Sequence, residues 1–146
     1  MKTSGLLKLK HVVSPLLLIV VLFFISSCAE KASFQQSSIV PAAHGKVKVK
    51  KDDNNNYNIE VDVTNLAEVE KVYSRSHSYI VWMESKDGDT QKLGQLISEK
   101  AFLSKHRKAE MTTVSSAEPV RVFITAERNE DVRYPNNEMI LRTRNF

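Results

Sequence analysis

From His44 onward, apolar and polar residues alternate with a period of two rather than the 3.6 of an amphipathic helix. Lys46-Val47-Lys48-Val49-Lys50 alternates strictly. Tyr57–Thr64 repeats the pattern, with Ile59, Val61 and Val63 on one face against Asn58, Glu60 and Asp62. The intervening Asp52-Asp53-Asn54-Asn55-Asn56 is built from residues that tolerate left-handed backbone, so the two runs predict a hairpin. Ser78–Glu84 (SYIVWME) is rich in β-branched and aromatic residues, which predicts a third strand. Thr90–Ile97, bent at Gly94, then Arg107–Val114, Pro119–Glu127 and Met139–Thr143 bring the strands to seven. Asn65–Ser76 carries too few apolar residues for more than a short helical turn. Seven short strands separated by turn signals predict an all-β fold over residues 44–146, an immunoglobulin-like antiparallel β-sandwich.

The chain has one cysteine, which rules out an intrachain disulfide. A domain of this size must then be held by its apolar core. Val122, Ile124 and Ala126 alternate with Arg121, Thr125 and Glu127, so they are expected to point inward and to meet Ile59, Val61, Val63 and Trp82.

The first 28 residues read differently. Lys2, Lys8 and Lys10 precede the apolar run Leu16–Ile25, and Ser26-Ser27-Cys28 follows. Ten apolar residues are too few for a membrane-spanning helix, which needs about 20, and suit the apolar part of a secretion signal. Ile25-Ser26-Ser27-Cys28 resembles the lipobox of bacterial lipoproteins. That resemblance implies removal of residues 1–27 and lipidation of Cys28, which anchors the protein to a membrane without a spanning helix. In lipoprotein sorting an aspartate after the cysteine implies inner-membrane retention; Ala29 stands there, which implies the outer membrane of the cell envelope. Residues 28–43 are small and polar and are expected to be a flexible tether, on the order of 20 Å long.

The strand motifs resemble the extracytoplasmic domain of the anti-sigma-K factor family. They are Tyr79-x-x-Trp82, Gly94-x-Leu96, Val122-Phe123-Ile124-Thr125-Ala126-Glu127, and Pro135 ahead of the last strand, within residues 78–143. The resemblance implies a β-sandwich sensing or binding domain. It does not extend to sigma-factor inhibition, which in that family uses a cytoplasmic helical region joined by a transmembrane helix, and neither is read in this sequence.

Lys2, Lys8 and Lys10 account for three of the 21 basic residues, so residues 28–146 carry 18 basic and 17 acidic side chains. This balance argues against a nucleic-acid partner. His11, His44, His77 and His106 are scattered without the spacing of a zinc site, and no metal or cofactor is expected. Asp52-x-Asn54-x-Asn56 imitates the start of a calcium loop, but Tyr57 replaces the required glycine and Val63 the bidentate glutamate. No G-x-S-x-G elbow or phosphate loop is present, and no catalytic residues are assigned. Lys46, Lys48, Lys50 and Lys51 suit a sheet edge protected against pairing better than an anionic partner.

SYIVWME is apolar on both sides. With Ile80 and Trp82 inward, Tyr79, Val81 and Met83 face out and join Phe123 in a candidate patch for a protein partner. The expectation is a lipid-anchored envelope protein that binds or supports a partner and is not an enzyme. The alternative is an envelope hydrolase or carbohydrate-processing enzyme, marked by a pocket with convergent Asp, Glu or His.

Overall fold

The computed structural model describes residues 29–99 and 108–146, without the side chains of Ser98 and Glu99. Its elements are β1 (Glu30–Ser33), β2 (His44–Lys51), β3 (Tyr57–Thr64), α1 (Val69–Val72), β4 (Ser78–Ser85), β5 (Thr90–Glu99), β6 (Lys108–Ser115), β7 (Pro119–Glu127) and β8 (Met139–Arg142). The strands form one antiparallel sheet in the order β1-β2-β3-β6-β5-β4-β7-β8, curled into an all-β, sandwich-like fold. Every predicted strand is present. Among the described residues no helix is long and apolar enough to cross a membrane.

The curl is made by β5. Its first part, Thr90–Leu96, pairs with β4, and its end, Ile97–Glu99, pairs with β6. Within the part paired with β4 the register slips, so that Val81 faces Gly94 while Trp82 faces Lys92, which leaves Leu93 as an extra residue. Such a bulge bends a strand and increases its twist. Gly94 (φ 151°) supplies the backbone that the bend needs. The two ends of the sheet then approach each other. Phe34 and Thr143, just past β1 and β8, form an antiparallel bridge, and the Gln35 N–H donates to the Arg142 carbonyl at 2.8 Å.

Inside the curl lies the main core. Ile59, Val61 and Val63 of β3 meet Val122, Ile124 and Ala126 of β7, as the alternation predicts. Val47 and Val49 of β2 and Tyr79, Val81 and Met83 of β4 join it.

Two expectations about the N-terminal part are corrected. The segment 28–43 is not a tether over its described length: Glu30–Ser33 is β1, and Phe34, Val40 and Ala43 are buried in the main core. The folded unit therefore begins at Glu30 rather than His44. β2 in turn is not an edge strand, because β1 covers it. Two of its four lysines are balanced across the sheet instead. Lys46 stands opposite Asp62, and Lys48 donates to both Glu60 oxygens at 3.0 Å. Cross-strand pairs of opposite charge favour this register.

Candidate functional site

The apolar patch expected on the outer face does not exist. Tyr79, Val81 and Met83 lie in the main core, each at most 5 % exposed, and the Tyr79 hydroxyl donates to the Ala67 carbonyl at 3.0 Å. Trp82, expected in the core with Ile59, Val61 and Val63, lies instead on the opposite face of β4. The register of β4 with β7 sets Trp82 directly across from Phe123, which points away from the main core but is itself buried rather than part of an exposed patch. Their rings stack at 6.5 Å, and with Ile80 they form a second buried cluster. A strand buried on both faces has no outer patch to offer. Among the described residues, the large apolar side chains that remain exposed are Ile97 on β5, Val114 on β6, Met139 on β8 and Tyr134 in the loop before β8.

The cover over Trp82 and Phe123 is the loop from Arg128 to Glu138, whose Val132 packs on the cluster. A chain of buried polar groups holds it there. The Trp82 indole N–H donates to Thr125 Oγ1 at 2.9 Å, and the Thr125 hydroxyl donates to Glu127 Oε1 at 2.7 Å. The same carboxylate oxygen accepts the backbone N–H groups of Asn136 at 3.0 Å and Asn137 at 3.4 Å. The Asn137 amide donates to Glu127 Oε2 and to the Ala126 carbonyl. On the other side, Lys92 Nζ donates to the Glu130 carbonyl. Glu127 is 1 % exposed and takes the place of a missing strand for the loop backbone. Buried polar groups are tolerated when each finds partners, and these do.

Beside this loop lies a half-open cleft of about 570 Å³. One wall is Tyr73–Ser76, which leads from α1 into β4; the other is Glu127–Asn129 with Val132, Asn136 and Asn137. Ser76 is buried and ties the walls together, its hydroxyl donating to the Ala126 carbonyl at 3.0 Å. The Glu127 carbonyl accepts the His77 N–H at 2.9 Å. Arg75 and Arg128 line opposite walls and are exposed. Among the described residues neither guanidinium has a hydrogen-bond or ion-pair partner. Alternation assigns Glu127 to solvent, and nothing local in the sequence ties it to Asn136 and Asn137.

The Asp52 carboxylate closes its own turn. Its Oδ1 accepts the backbone N–H groups of Asn54 at 2.8 Å and Asn56 at 2.9 Å, with Asn55 in left-handed backbone (φ 64°). The bond from the Asn56 N–H, with lesser help from Asn54 and the Asn56 side chain, holds the carboxyl below its ordinary value against the opposing effect of burial. A lowered folded-state pKa adds stability above the unfolded value, near 3.9, and that stability is lost as pH falls through the folded value. The melting-temperature gap between the parent and Asp52→Ala is therefore expected to be steady above about pH 5 and to narrow below about pH 4. Thermal scans across that range check it; a gap that widens in acid contradicts the turn assignment.

Among the described residues no group of three or more His, Cys, Asp and Glu side chains converges. His44 Nδ1 lies 3.1 Å from the Ala42 carbonyl, and His77 Nδ1 lies 3.8 Å from Glu70. Cys28, His106 and residues 1–27, with His11 and the segment expected to be a secretion signal, lie outside the described residues. Compared with known proteins, the chain matches no family model, no curated protein and no solved structure.

Proposed function

We propose that the chain is the precursor of a bacterial envelope lipoprotein, held by lipid on Cys28, whose domain binds a partner and is not an enzyme. The observation that carries the reading is the order of basic residues, short apolar run and Ile25-Ser26-Ser27-Cys28, with β1 starting two residues later at Glu30. Two residues span at most roughly 7 Å, so lipid on Cys28 keeps the domain at the membrane surface. The N-terminus of β1 shares its end of the fold with Pro119, the first residue of β7. The cleft lies at the other end of β7, roughly 26 Å away along the strand, far from the start of β1. Ala29 after the cysteine favours the outer membrane.

The resemblance to anti-sigma-K extracytoplasmic domains supports a binding or sensing role. A hydrolase would need convergent acid groups. Glu127 is the one carboxylate among the described residues lining the cleft, and four hydrogen bonds already engage it. Cys28→Ala is expected to abolish lipid labelling in cells and to leave the signal uncut. A Cys28→Ala protein that still carries lipid and matures normally overturns the reading.

A further inference from the structure

The cleft beside the Glu127 loop is a built feature rather than a surface dent. Its walls are joined by the Ser76 bond to Ala126 and by the His77 bond to Glu127. Its loop is pinned from below by the Glu127 carboxylate. A cavity fixed before a ligand arrives loses little on ordering, which favours binding. Its volume, about 570 Å³, lies within the range typical of small-molecule sites.

The uncommitted groups in it are mostly donors. Arg75 and Arg128 each present five N–H groups and a fixed positive charge, without a partner among the described residues. Glu127 forms no ion pair with either arginine; its carboxylate accepts hydrogen bonds from Thr125 and from the Asn136–Asn137 backbone. Guanidinium groups match planar carboxylates and phosphates in geometry as well as charge. The Ser74 hydroxyl and the Asn129 and Asn136 amides, which can each donate and accept, suit the hydroxyls of a sugar.

We propose that this cleft binds a sugar bearing an acidic group, a carboxylate or a phosphate, held between Arg75 and Arg128 and oriented by Ser74, Asn129 and Asn136. The inference rests on reading the domain as a binding module and adds the class of ligand. Full-length protein in detergent is titrated calorimetrically with digalacturonic acid, glucose 6-phosphate, galactose and inorganic phosphate. One or both acidic sugars are expected to bind, and which of them binds identifies the acid group. Arg75→Ala and Arg128→Ala are each expected to weaken binding about tenfold, and the double variant about a hundredfold. Both arginines are exposed, so the melting temperature should not change. The proposal is overturned if neither acidic sugar binds at millimolar concentration, if galactose binds as well, or if inorganic phosphate matches glucose 6-phosphate. It is equally overturned if the double variant binds like the parent. Lipid labelling of Cys28 in the same preparation separates the two readings. Labelled protein that ignores both sugars removes the cleft assignment alone; unlabelled protein that binds them removes the anchor alone.

Discussion

Trp82→Ala is expected to destabilise the domain by about 3–5 kcal/mol, the usual cost of truncating a large buried aromatic residue. Trp82 is fully buried and stacks on Phe123, so alanine leaves a cavity under the Arg128–Glu138 loop. It also removes the indole donor to Thr125, at one end of the hydrogen-bond chain that pins the loop. A loss of that size is a large part of the roughly 5–15 kcal/mol by which domains are stable. Urea unfolding followed by circular dichroism measures it. Trp82→Phe separates the contributions, since it keeps an aromatic ring and drops the indole N–H; it should cost less than alanine by roughly 1–2 kcal/mol or more. The parent's tryptophan emission comes from Trp82 alone and should be that of a buried ring. A solvent-exposed emission maximum in the folded protein contradicts the packing.

Gly45→Ala should cost about 3 kcal/mol, at the upper end of what overpacking a tight site costs. The reason is the paired backbone rather than the glycine's own conformation. A Cβ at Gly45 would sit 2.1 Å from the Asp62 carbonyl oxygen and 2.9 Å from the Val63 Cα. Both are main-chain atoms of β3, which Gly45 faces across the ladder, and they cannot rotate away. The Gly45 carbonyl also accepts the Phe34 N–H at 3.0 Å, next to the bridge that draws β1 towards β8. Separating β2 from β3 here should therefore loosen the closure of the sheet as well. Gly88→Ala is the control: nothing lies within 4 Å of its added Cβ, and only the positive φ of 89° opposes it. That strain costs roughly 1–2 kcal/mol. Denaturant midpoints of the two variants compare them directly. If Gly45→Ala is no worse than Gly88→Ala, the close approach of β2 to β3 is wrong.

What the sequence determined by itself is local. Period-two alternation placed β2 and β3, because burying one face of a sheet is written into neighbouring residues, and β-branched and aromatic content placed β4. The Asp52–Asn56 turn was legible for the same reason, since its carboxylate bonds to backbone only two and four residues away. Alternation also oriented β3, where one face is apolar and the other polar, and the Val122-Ile124-Ala126 face of β7.

It could not orient β4, since both of its faces are apolar, and there the decision passed to tertiary structure. Register against β7 put Trp82 across from Phe123, and a distant loop covered the pair. β1 was hidden likewise. Four residues of ordinary polarity become a strand only because β2 offers them an unpaired edge. Of the candidate site, the sequence displayed the arginines and asparagines but not their meeting. Tyr73–Ser76 and Asn136–Asn137 stand some sixty residues apart in the chain. They share a cleft only because β4 and β7 are neighbours and the Glu127 carboxylate holds the loop down, and long-range pairing of that kind leaves no periodic trace in a single sequence.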